Sequence, residues 1–376
     1  MWHAVSAGML AVVLATQTMQ TACPKDSPTT PQTGDVLTTR DGVRFRVETV
    51  VTGLEIPWSL NFAPDGRLFV TERPGRVRIV TPGGSSELAL TVDDVYVEGE
   101  AGLLGLALDP QFAQNRFVYI HYTAAIPGNA VNRIVRYREV NSRLGERVVL
   151  LDNIPAGNIH DGGRLRFGPD GLLYATAGDA AIPDFAQDAA SLGGKVLRLN
   201  RDGSVPSDNR FSSPVYTYGH RNPQGLDWHP ATGDLWAVEH GQIGNDEVNA
   251  IRPGLNFGWP RIEGAATLPG METPAAFYNP AVAPSGASFY RGQRLPQFVN
   301  NLFVATLRGT ALLRLTVDNT SRRVTSEERL LEGSYGRLRD VISGPDGYLY
   351  FCTNNRDGRG SPMSGDDRVL RIVPAS

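Results

Sequence analysis

The sequence predicts an all-β protein that folds as a six-bladed β-propeller. A hairpin unit recurs along the chain: an apolar run, a turn of the Pro-Asp-Gly type and a second apolar run. Proline presets the backbone at the first turn position and glycine accepts positive φ, so each copy predicts two antiparallel strands. No window carries a sustained helical period of apolar residues with capping residues. A pair of β-sandwiches would not explain six similar turns.

The copies of this hairpin follow a loose period. They read LNFAPDGRLFVTE, LALDPQFAQNRFVYIHY, LRFGPDGLLYATAGD, LDWHPATGDLWAVEHG and VISGPDGYLYFCTNN, and a weaker copy near residue 300 reads LPQFVNNLFVATLRG. The turn prolines stand at positions 64, 110, 169, 230 and 345, and the first four are separated by 46, 59 and 61 residues. Such spacing is typical of four-stranded blades. We therefore predict one propeller domain over residues 40–376.

The N-terminus resembles an export signal over residues 1–23. The stretch AVSAGMLAVVLA is apolar but too short to span a bilayer. It leads to QTAC, where a small residue before Cys23 is typical of a bacterial lipoprotein cleavage site. We expect an exported, periplasmic protein, either anchored by a lipid on Cys23 or cleaved elsewhere; a disordered start with an unpaired cysteine is the alternative. Residues 24–39 are predicted to be a flexible linker.

The composition limits the partners of the protein. The chain has 376 residues and a net charge of -3, and it lacks the basic stripe that is typical of nucleic-acid binders. After the leader, no apolar run approaches the ~18 residues of a membrane span. The second of two cysteines, Cys352, is expected to be a buried strand residue, so packing must hold the fold. We expect a monomer that acts on a small molecule.

Polar side chains concentrate in three loops beside the repeated strands. NIHDGGRL holds His160, YGHRNPQGLDW holds Arg221 and Asn222, and VEHGQIGNDEVN holds His240 and Glu247. A propeller gathers loops from all its blades around one channel, so these residues are expected to converge. The segments TLRG and YGRLRDV add three arginines: Arg308, Arg337 and Arg339.

These residue types suit an anionic ligand and proton transfer. Arginine binds carboxylates through a planar fork, so an arginine-rich channel favours a polyanion. A neutral histidine such as His160 can accept a proton near neutral pH. Gly162 and Gly163 would let the backbone approach a ligand closely. On an extended strand, Arg337 and Arg339 would point to the same face.

The combination of motifs resembles the glucose/sorbosone dehydrogenase family. The strings that carry the resemblance are GLEIPWSLNFAPDGRLFVTER, GLLGLALDPQF, HDGGRLRFGPDGLLY, GHRNPQGL, EHGQIGNDEVN, NFGWP and RLRDV. They are most similar to the soluble periplasmic aldose sugar dehydrogenases that use pyrroloquinoline quinone (PQQ). The resemblance runs from about residue 45 to residue 373 and so covers nearly all of the predicted mature chain.

The resemblance implies an activity and a set of site residues. Aldoses would be oxidised at C1 to lactones by hydride transfer to PQQ, and the electrons would pass to a quinone or another acceptor such as a redox protein. His160 matches the general base of the family. Arg221 and Asn222 match residues beside the quinone oxygens, and His240 matches a polar residue against the cofactor. Three arginines match residues that hold the cofactor carboxylates or the quinone edge: Arg308, Arg337 and Arg339.

Calcium is the second cofactor that the resemblance implies. The main-chain carbonyls of Gly241 and Gln242 match ligands of the calcium that also coordinates PQQ. Calcium is a hard cation that favours such oxygens. Glu247 and the carbonyl of Phe257 match a second, structural calcium site that occurs in some relatives.

The chain departs from the glucose-specific branch in the predicted substrate pocket. Glu100, in GEAGLLG, stands where that branch has a neutral amide near the sugar. Its carboxylate would either bind sugar hydroxyls or compete with His160 for the proton. Asn279 and Ala281 replace bulkier or hydroxylated residues. We therefore expect an open site that accepts varied aldoses.

Two other functions stay open at this point. One is a calcium-dependent lactonase or esterase on a six-bladed propeller, which would hold calcium with several acidic and amide side chains. The other is a propeller that only binds a partner, in which the base or the arginine of the HRN motif would be expected to be lost. His121, His220 and His229 are interpreted as structural, and Asp161 receives no role.

Overall fold

A computed structural model of the chain describes Met1 and residues 34–375. Residues 2–23 of the predicted signal peptide, with the candidate lipidation site Cys23, and residues 24–33 of the predicted linker lie outside the described residues. None of the helices in the described residues could span a lipid bilayer.

The first half of the described chain forms two edge strands and three blades. It begins with β1 (Leu37–Thr38) and β2 (Arg44–Val51). Blade 1 contains β3 (Pro57–Phe62), β4 (Leu68–Glu72), β5 (Arg76–Val80) and β6 (Ser86–Thr91). Blade 2 contains β7 (Leu103–Leu108), β8 (Phe117–Ile126), β9 (Asn129–Val140) and β10 (Arg143–Pro155). Blade 3 contains β11 (Leu165–Phe167), β12 (Leu173–Ala177), β13 (Lys195–Leu199) and β14 (Val215–Tyr218).

The second half forms the other three blades. Blade 4 contains β15 (Pro223–Trp228), β16 (Leu235–Glu239), β17 (Asp246–Ile251) and β18 (Ala276–Tyr278). Blade 5 contains β19 (Pro284–Phe289), β20 (Leu302–Thr306), β21 (Leu312–Asp318) and β22 (Arg323–Leu330). Blade 6 contains β23 (Leu338–Ser343), β24 (Leu349–Thr353) and β25 (Val369–Pro374). Helical structure in the described chain is limited to three short segments: α1 (Phe112–Asn115), α2 (Asp184–Gln187) and a 3₁₀ turn (Pro296–Phe298).

The six sheets close into a ring. The first strand of each blade contacts the first strands of both neighbouring blades, and β23 of blade 6 contacts β3 of blade 1. Blade 6 is completed by the N-terminal segment, because β2 pairs antiparallel with β25 and β1 pairs with β2. The predictions of an all-β chain and of a six-bladed propeller are confirmed. β1 lies within the segment predicted as a linker, so strand pairing begins at residue 37.

The repeated turns lie at one end of this ring. Each connects the first and second strands of its blade, as between β3 and β4, where the amide of Gly66 donates to the carbonyl of Ala63 at 2.9 Å. Gly66, Gly171 and Gly347 all have φ between 74° and 84°, which explains the glycine of the motif. The loops that precede the first strands therefore lie at the opposite end. The loops between the second and third strands lie at this same end. Most of the predicted site residues stand in one or other of these two sets of loops.

Apolar side chains fill the spaces between the blades. Trp236 and Val238 of blade 4 pack in one buried cluster with Phe289 and Val304 of blade 5. Cys352 is fully buried in β24 and unpaired, as predicted. Packing between sheets therefore supplies the cohesion that disulfides do not.

A buried ion pair lies at the centre, where the first strands meet. Arg164 is 2.9 Å from Asp340, and both side chains are fully buried. The same carboxylate accepts the amide of Leu60 at 2.8 Å, and a Cβ on Gly286 would lie 1.9 Å from it. The Arg164 guanidinium also lies 4.3 Å from the ring of Trp58. These contacts join blades 1, 3, 5 and 6.

Arg164→Met is expected to reduce the free energy of unfolding by about 3–5 kcal/mol, because it leaves the Asp340 carboxylate buried without its counter-charge. Urea unfolding followed by tryptophan fluorescence measures the loss. Arg46→Met is the control, since the Arg46–Glu48 pair lies partly exposed at the surface and such pairs contribute less than about 1 kcal/mol. Equal midpoints for the two variants would contradict the importance of the central pair.

Candidate active site

His160 lies in a tight loop that leads into β11. Its φ is +65°, and the φ values of Gly162 and Gly163 are +67° and +99°. Positive φ is uncommon for histidine and marks a backbone held by its surroundings. A Cβ on Gly162 would lie 2.8 Å from the carbonyl oxygen of Thr176, and one on Gly163 would lie 2.6 Å from the Leu104 side chain. The glycines are therefore required by the packing of the chain itself, whereas the sequence suggested close approach of a ligand.

A buried carboxylate orients the His160 ring. Nδ1 of His160 lies 2.7 Å from Oδ1 of Asp179, a residue with no solvent exposure. The other oxygen of Asp179 accepts the indole N–H of Trp259 at 2.8 Å. A carboxylate at Nδ1 favours the tautomer that carries the proton on that nitrogen. The Nε2 lone pair of His160 is then available to accept a proton.

Glu100 and Asn222 hold the backbone of the same loop. One Glu100 oxygen accepts the amide of His160 at 3.1 Å and the side-chain N–H of Asn222 at 3.3 Å. The Asn222 carbonyl accepts the amide of Gly162 at 3.1 Å. Burial alone would raise the pKa of the Glu100 carboxyl, but His240, the Arg359 guanidinium and the His160 amide lower it well below its ordinary value. The ionised carboxylate favours hydroxyl binding over the role of a base.

Arg221 and His240 lie close together beside Trp259. The Arg221 guanidinium is 5.3 Å from the Trp259 ring, and its Nη1 donates to the carbonyl of His240 at 3.4 Å. The Nε of Arg221 is buried and has no hydrogen-bond partner among the described residues. The Nε2 of His240 lies 2.9 Å from the carbonyl of Pro284. Burial lowers the pKa of His240, and the nearby carboxylates of Glu100 and Asp246 oppose that shift.

The three arginines of blades 5 and 6 differ in their surroundings. Arg339 is buried and donates to the side-chain carbonyl of Gln224 at 2.9 Å, while its Nε lacks a partner within the described chain. Burial lowers the pKa of Arg339 to about 9, which leaves it charged at neutral pH. Arg337 is already paired with Asp357 at 2.8 Å. Arg308 is exposed. Of the four predicted arginines, Arg221 and Arg339 are thus the two with a buried Nε that has no partner in the described chain.

The loop after β16 is arranged to present main-chain oxygens. The amides of Gly241 and Gln242 donate to Asp246 at 2.9 Å and to Glu263 at 2.8 Å. Because a trans peptide directs its N–H and C=O to opposite sides, the carbonyl of Gly241 points away from Glu263. A Cβ on Gly241 would lie 2.0 Å from the carbonyl oxygen of Gly244, so this position requires glycine.

A small cavity lies behind this loop. Its volume is about 10 Å³, enough for one ion or water molecule, and it is lined by Arg221, Glu239, Glu247, Phe257, Glu263 and neighbouring residues. Burial and the charge of Glu239 raise the pKa of Glu247 to about 8. The side-chain nitrogen of Asn249 donates to Glu239 and to Glu247. Its side-chain oxygen has no partner in the described part of the chain. These acidic oxygens fit a cation.

Side chains alone do not form a metal site. Among the described residues, no group of three or more histidine, cysteine or acidic side chains is placed to hold a metal ion. A calcium ion would therefore need main-chain oxygens, as the predicted carbonyls of Gly241, Gln242 and Phe257 would provide. This arrangement differs from the side-chain ligand set expected of a propeller lactonase.

The other histidines have structural surroundings. His220 stacks on Phe257 with 4.7 Å between ring centroids and bonds Thr217 and Glu239 at 2.8 and 2.9 Å. His121 is fully buried in β8. His229 lies in the turn between β15 and β16, at the end opposite His160. None of the three approaches the His160 loop through a hydrogen bond.

Several site residues were not predicted from the sequence. Asp179 and Trp259 orient His160, and Arg359 pairs with Glu100 at 2.9 Å. Asp179 could have been predicted from the hairpin. The His160 loop leads into β11, β11 pairs with β12, and Asp179 follows the end of β12, so it returns to the side of that loop. Trp259 and Arg359 carried no such signal, since each reaches the site from a distant part of the chain.

Comparison with known proteins agrees with this geometry. Residues 54–364 match the family model described as glucose/sorbosone dehydrogenase. The chain belongs to this family. This dehydrogenase is 33% identical to the aldose sugar dehydrogenase YliI of Escherichia coli K12 over 83% of this chain and 91% of the relative.

Solved structures give the same result. An oxidoreductase of Thermus thermophilus, named as a glucose dehydrogenase, superposes with a TM-score of 0.82 at 47% identity, covering 88% of this chain and 100% of the other. The PQQ-bound form of the aldose sugar dehydrogenase of Streptomyces coelicolor gives a TM-score of 0.81 at 39% identity, covering 88% and 98%. The predictions of the family and of a sugar dehydrogenase are confirmed. The roles of the individual site residues stay predictions.

Calcium is expected to stabilise this dehydrogenase in a way that depends on Glu247. The pKa of this carboxyl is raised from 4.5 to about 8, so the metal-free protein loses stability as pH rises through that interval. At pH 8, Glu247→Gln should raise the melting temperature in EDTA and lose most of the increase that calcium gives the wild type. Differential scanning calorimetry measures both.

Glu272→Gln is the matched control, because Glu272 pairs with Arg252 at the surface. It should leave the calcium response unchanged. A full calcium response in the Glu247→Gln variant would exclude Glu247 from the metal site.

Proposed function

We propose that this protein is an exported, PQQ- and calcium-dependent dehydrogenase that oxidises aldose sugars at C1 to lactones. The observation that carries the proposal is the Asp179–His160 pair at the end of the propeller that carries the polar loops. It leaves Nε2 of His160 free to accept a proton. The names of the relatives support the substrate class and the cofactor, since one is an aldose sugar dehydrogenase and another was solved with PQQ.

In this proposal His160 accepts the proton of the sugar hydroxyl at C1. Asp179 keeps Nδ1 protonated and stabilises the imidazolium that forms. The C1–H bond breaks with its electron pair and a C1=O bond forms, so the sugar loses two electrons and two hydrogens. PQQ, when bound, supplies the quinone that accepts the hydride and is reduced by two electrons.

Arg221 and Arg339 are the residues best suited to hold an anionic cofactor. Both have a buried Nε without a partner in the described structure, and an unsatisfied buried guanidinium N–H is costly unless a ligand accepts it. Arg221 would also stabilise negative charge on a reduced quinone. Arg308 and Arg337 would contribute further positive charge, and Asn222 and His240 would line the same site.

Calcium would be held by main-chain oxygens of the loop after β16. The carbonyls of Gly241 and Gln242 are the proposed ligands next to the cofactor, where a hard cation would polarise the quinone. Glu247 and the carbonyl of Phe257 are proposed for the second, structural ion. After each turnover, the electrons would pass to a quinone or another acceptor.

A reconstitution experiment distinguishes the three candidate functions. The purified apoprotein is incubated with calcium and PQQ, and dye reduction is followed with several aldoses. The dehydrogenase is expected to reduce the dye only when sugar, PQQ and calcium are all present. Hydrolysis of lactones or aryl esters with calcium alone would instead identify a lactonase. Absence of both activities and of PQQ binding would leave a binding propeller.

His160→Ala and Asp179→Asn are each expected to lower kcat by about 100-fold or more, because each removes a properly oriented base. PQQ affinity, measured by fluorescence titration, should change little. The control is His229→Asn at the opposite end of the propeller, which should keep full activity. If the His160 variant keeps its turnover, the base is another residue.

A further inference from the structure

An ion pair crosses the mouth of the site. Glu100 lies between β6 and β7, and Arg359 lies between β24 and β25. Their side chains meet at 2.9 Å although 259 positions separate them in the sequence. The pair therefore links the loop before blade 2 to a loop of blade 6, next to the backbone of His160.

The carboxylate of Glu100 has capacity for one more donor. A carboxylate offers about four lone-pair sites. Three are used, by the amide of His160, the side chain of Asn222 and the guanidinium of Arg359. The Glu100 side chain keeps 17% of its solvent exposure, so a ligand can reach it.

The loop that carries Arg359 is held in place by hydrogen bonds and an ion pair of its own. Its amide donates to Asp357 at 2.9 Å, and Asp357 pairs with Arg337 at 2.8 Å. The amide of Asn355 donates to the buried Asp367 at 2.7 Å. The Arg359 side chain is 52% exposed and uses Nη1 toward Glu100, so a guanidinium with five N–H donors keeps donors for a ligand.

Carboxylate and guanidinium side by side complement two adjacent hydroxyl groups. The carboxylate accepts one O–H, and the guanidinium donates to the oxygen of the neighbouring hydroxyl. Glu100 bonds the His160 amide, so a sugar whose C1 hydroxyl meets His160 would bring its neighbouring hydroxyl groups toward this pair.

We propose that Arg359 is a specificity-determining residue that fixes Glu100 as an acceptor and, together with it, binds a vicinal diol of the aldose. The assignment rests on the proposed dehydrogenase function. It makes the pair responsible for sugar recognition and leaves proton removal at C1 to His160.

The test uses full-length protein loaded with PQQ and calcium. Arg359→Gln should raise KM for glucose about tenfold and leave kcat within about twofold, because binding is lost while the reacting groups remain. Arg359→Lys keeps the charge and should recover part of the affinity. Arg356→Gln is the control, since Arg356 lies in the same loop and donates to the carbonyl of Asp366.

Deoxy sugars test which hydroxyl groups of the sugar contact the Glu100–Arg359 pair. The wild type should discriminate at least about tenfold against one of 2-deoxyglucose and 3-deoxyglucose, because the analogue leaves polar groups of the site unpaired. Glu100→Gln and Arg359→Gln should both reduce this discrimination, for the same sugar, to about twofold. Discrimination that persists in Arg359→Gln would overturn the proposal.

A binding measurement separates this proposal from the function on which it rests. 1,5-Anhydroglucitol lacks the hydroxyl at C1 and cannot be oxidised there, so calorimetry reports recognition alone. Its Kd should rise about tenfold in Arg359→Gln and stay unchanged in Arg356→Gln. A wild type without PQQ-dependent oxidation would refute the dehydrogenase, whereas an active wild type with an unchanged Kd in Arg359→Gln would refute only the diol assignment.

Discussion

The pairing of β2 with β25 is the constraint on which the rest of the structure depends. It brings residues 44–51 against the end of the chain and completes the last blade. Without it, the hydrogen-bonding edge of β25 would be exposed and blade 6 would be a three-stranded sheet. The site needs the closed ring, because Glu100, His160, Arg221 and Arg359 come from loops of different blades. Their mutual distances are set by the ring rather than by any local motif.

The centre of the ring adds a second constraint. Arg164 and Asp340 are buried as a pair, and Arg164 also donates to the main-chain carbonyl of Gln224 at 2.8 Å. The side-chain carbonyl of Gln224 accepts a hydrogen bond from the Arg339 guanidinium. The fold-supporting ion pair and a proposed cofactor-binding arginine thus share one residue.

Most of the fold and part of the site could be predicted from the sequence. Proline and glycine in the repeated turns are required by the local backbone angles of a tight turn, so each hairpin could be predicted from its own segment. His160, Arg221 and Asn222 stand in motifs with enough polar residues to attract notice. Arg359 stands outside these motifs, and the motif NFGWP does not indicate that Trp259 contacts Asp179. The partners of both residues are distant in the chain. No local pattern encodes such contacts, because they arise only when the ring closes.

Asp161 and the paired glycines show the same limit. Asp161 is buried and accepts the side chain of Asn132 at 2.9 Å and the amide of Gly157 at 3.1 Å, so it holds the loop in place. Gly162 and Gly163 serve the packing of that loop. The sequence identified the loop as unusual, but the reason for each residue became clear only from its neighbours.

The residues at the two ends of the propeller have different roles. The repeated turns at one end indicate the fold, and the loops at the other end carry the polar groups. Exposed side chains of the second end, such as Arg308, take no part in the strand pairing, so they can change with little effect on the fold. The same separation makes the turn end a suitable place to attach a second protein module without disturbing catalysis.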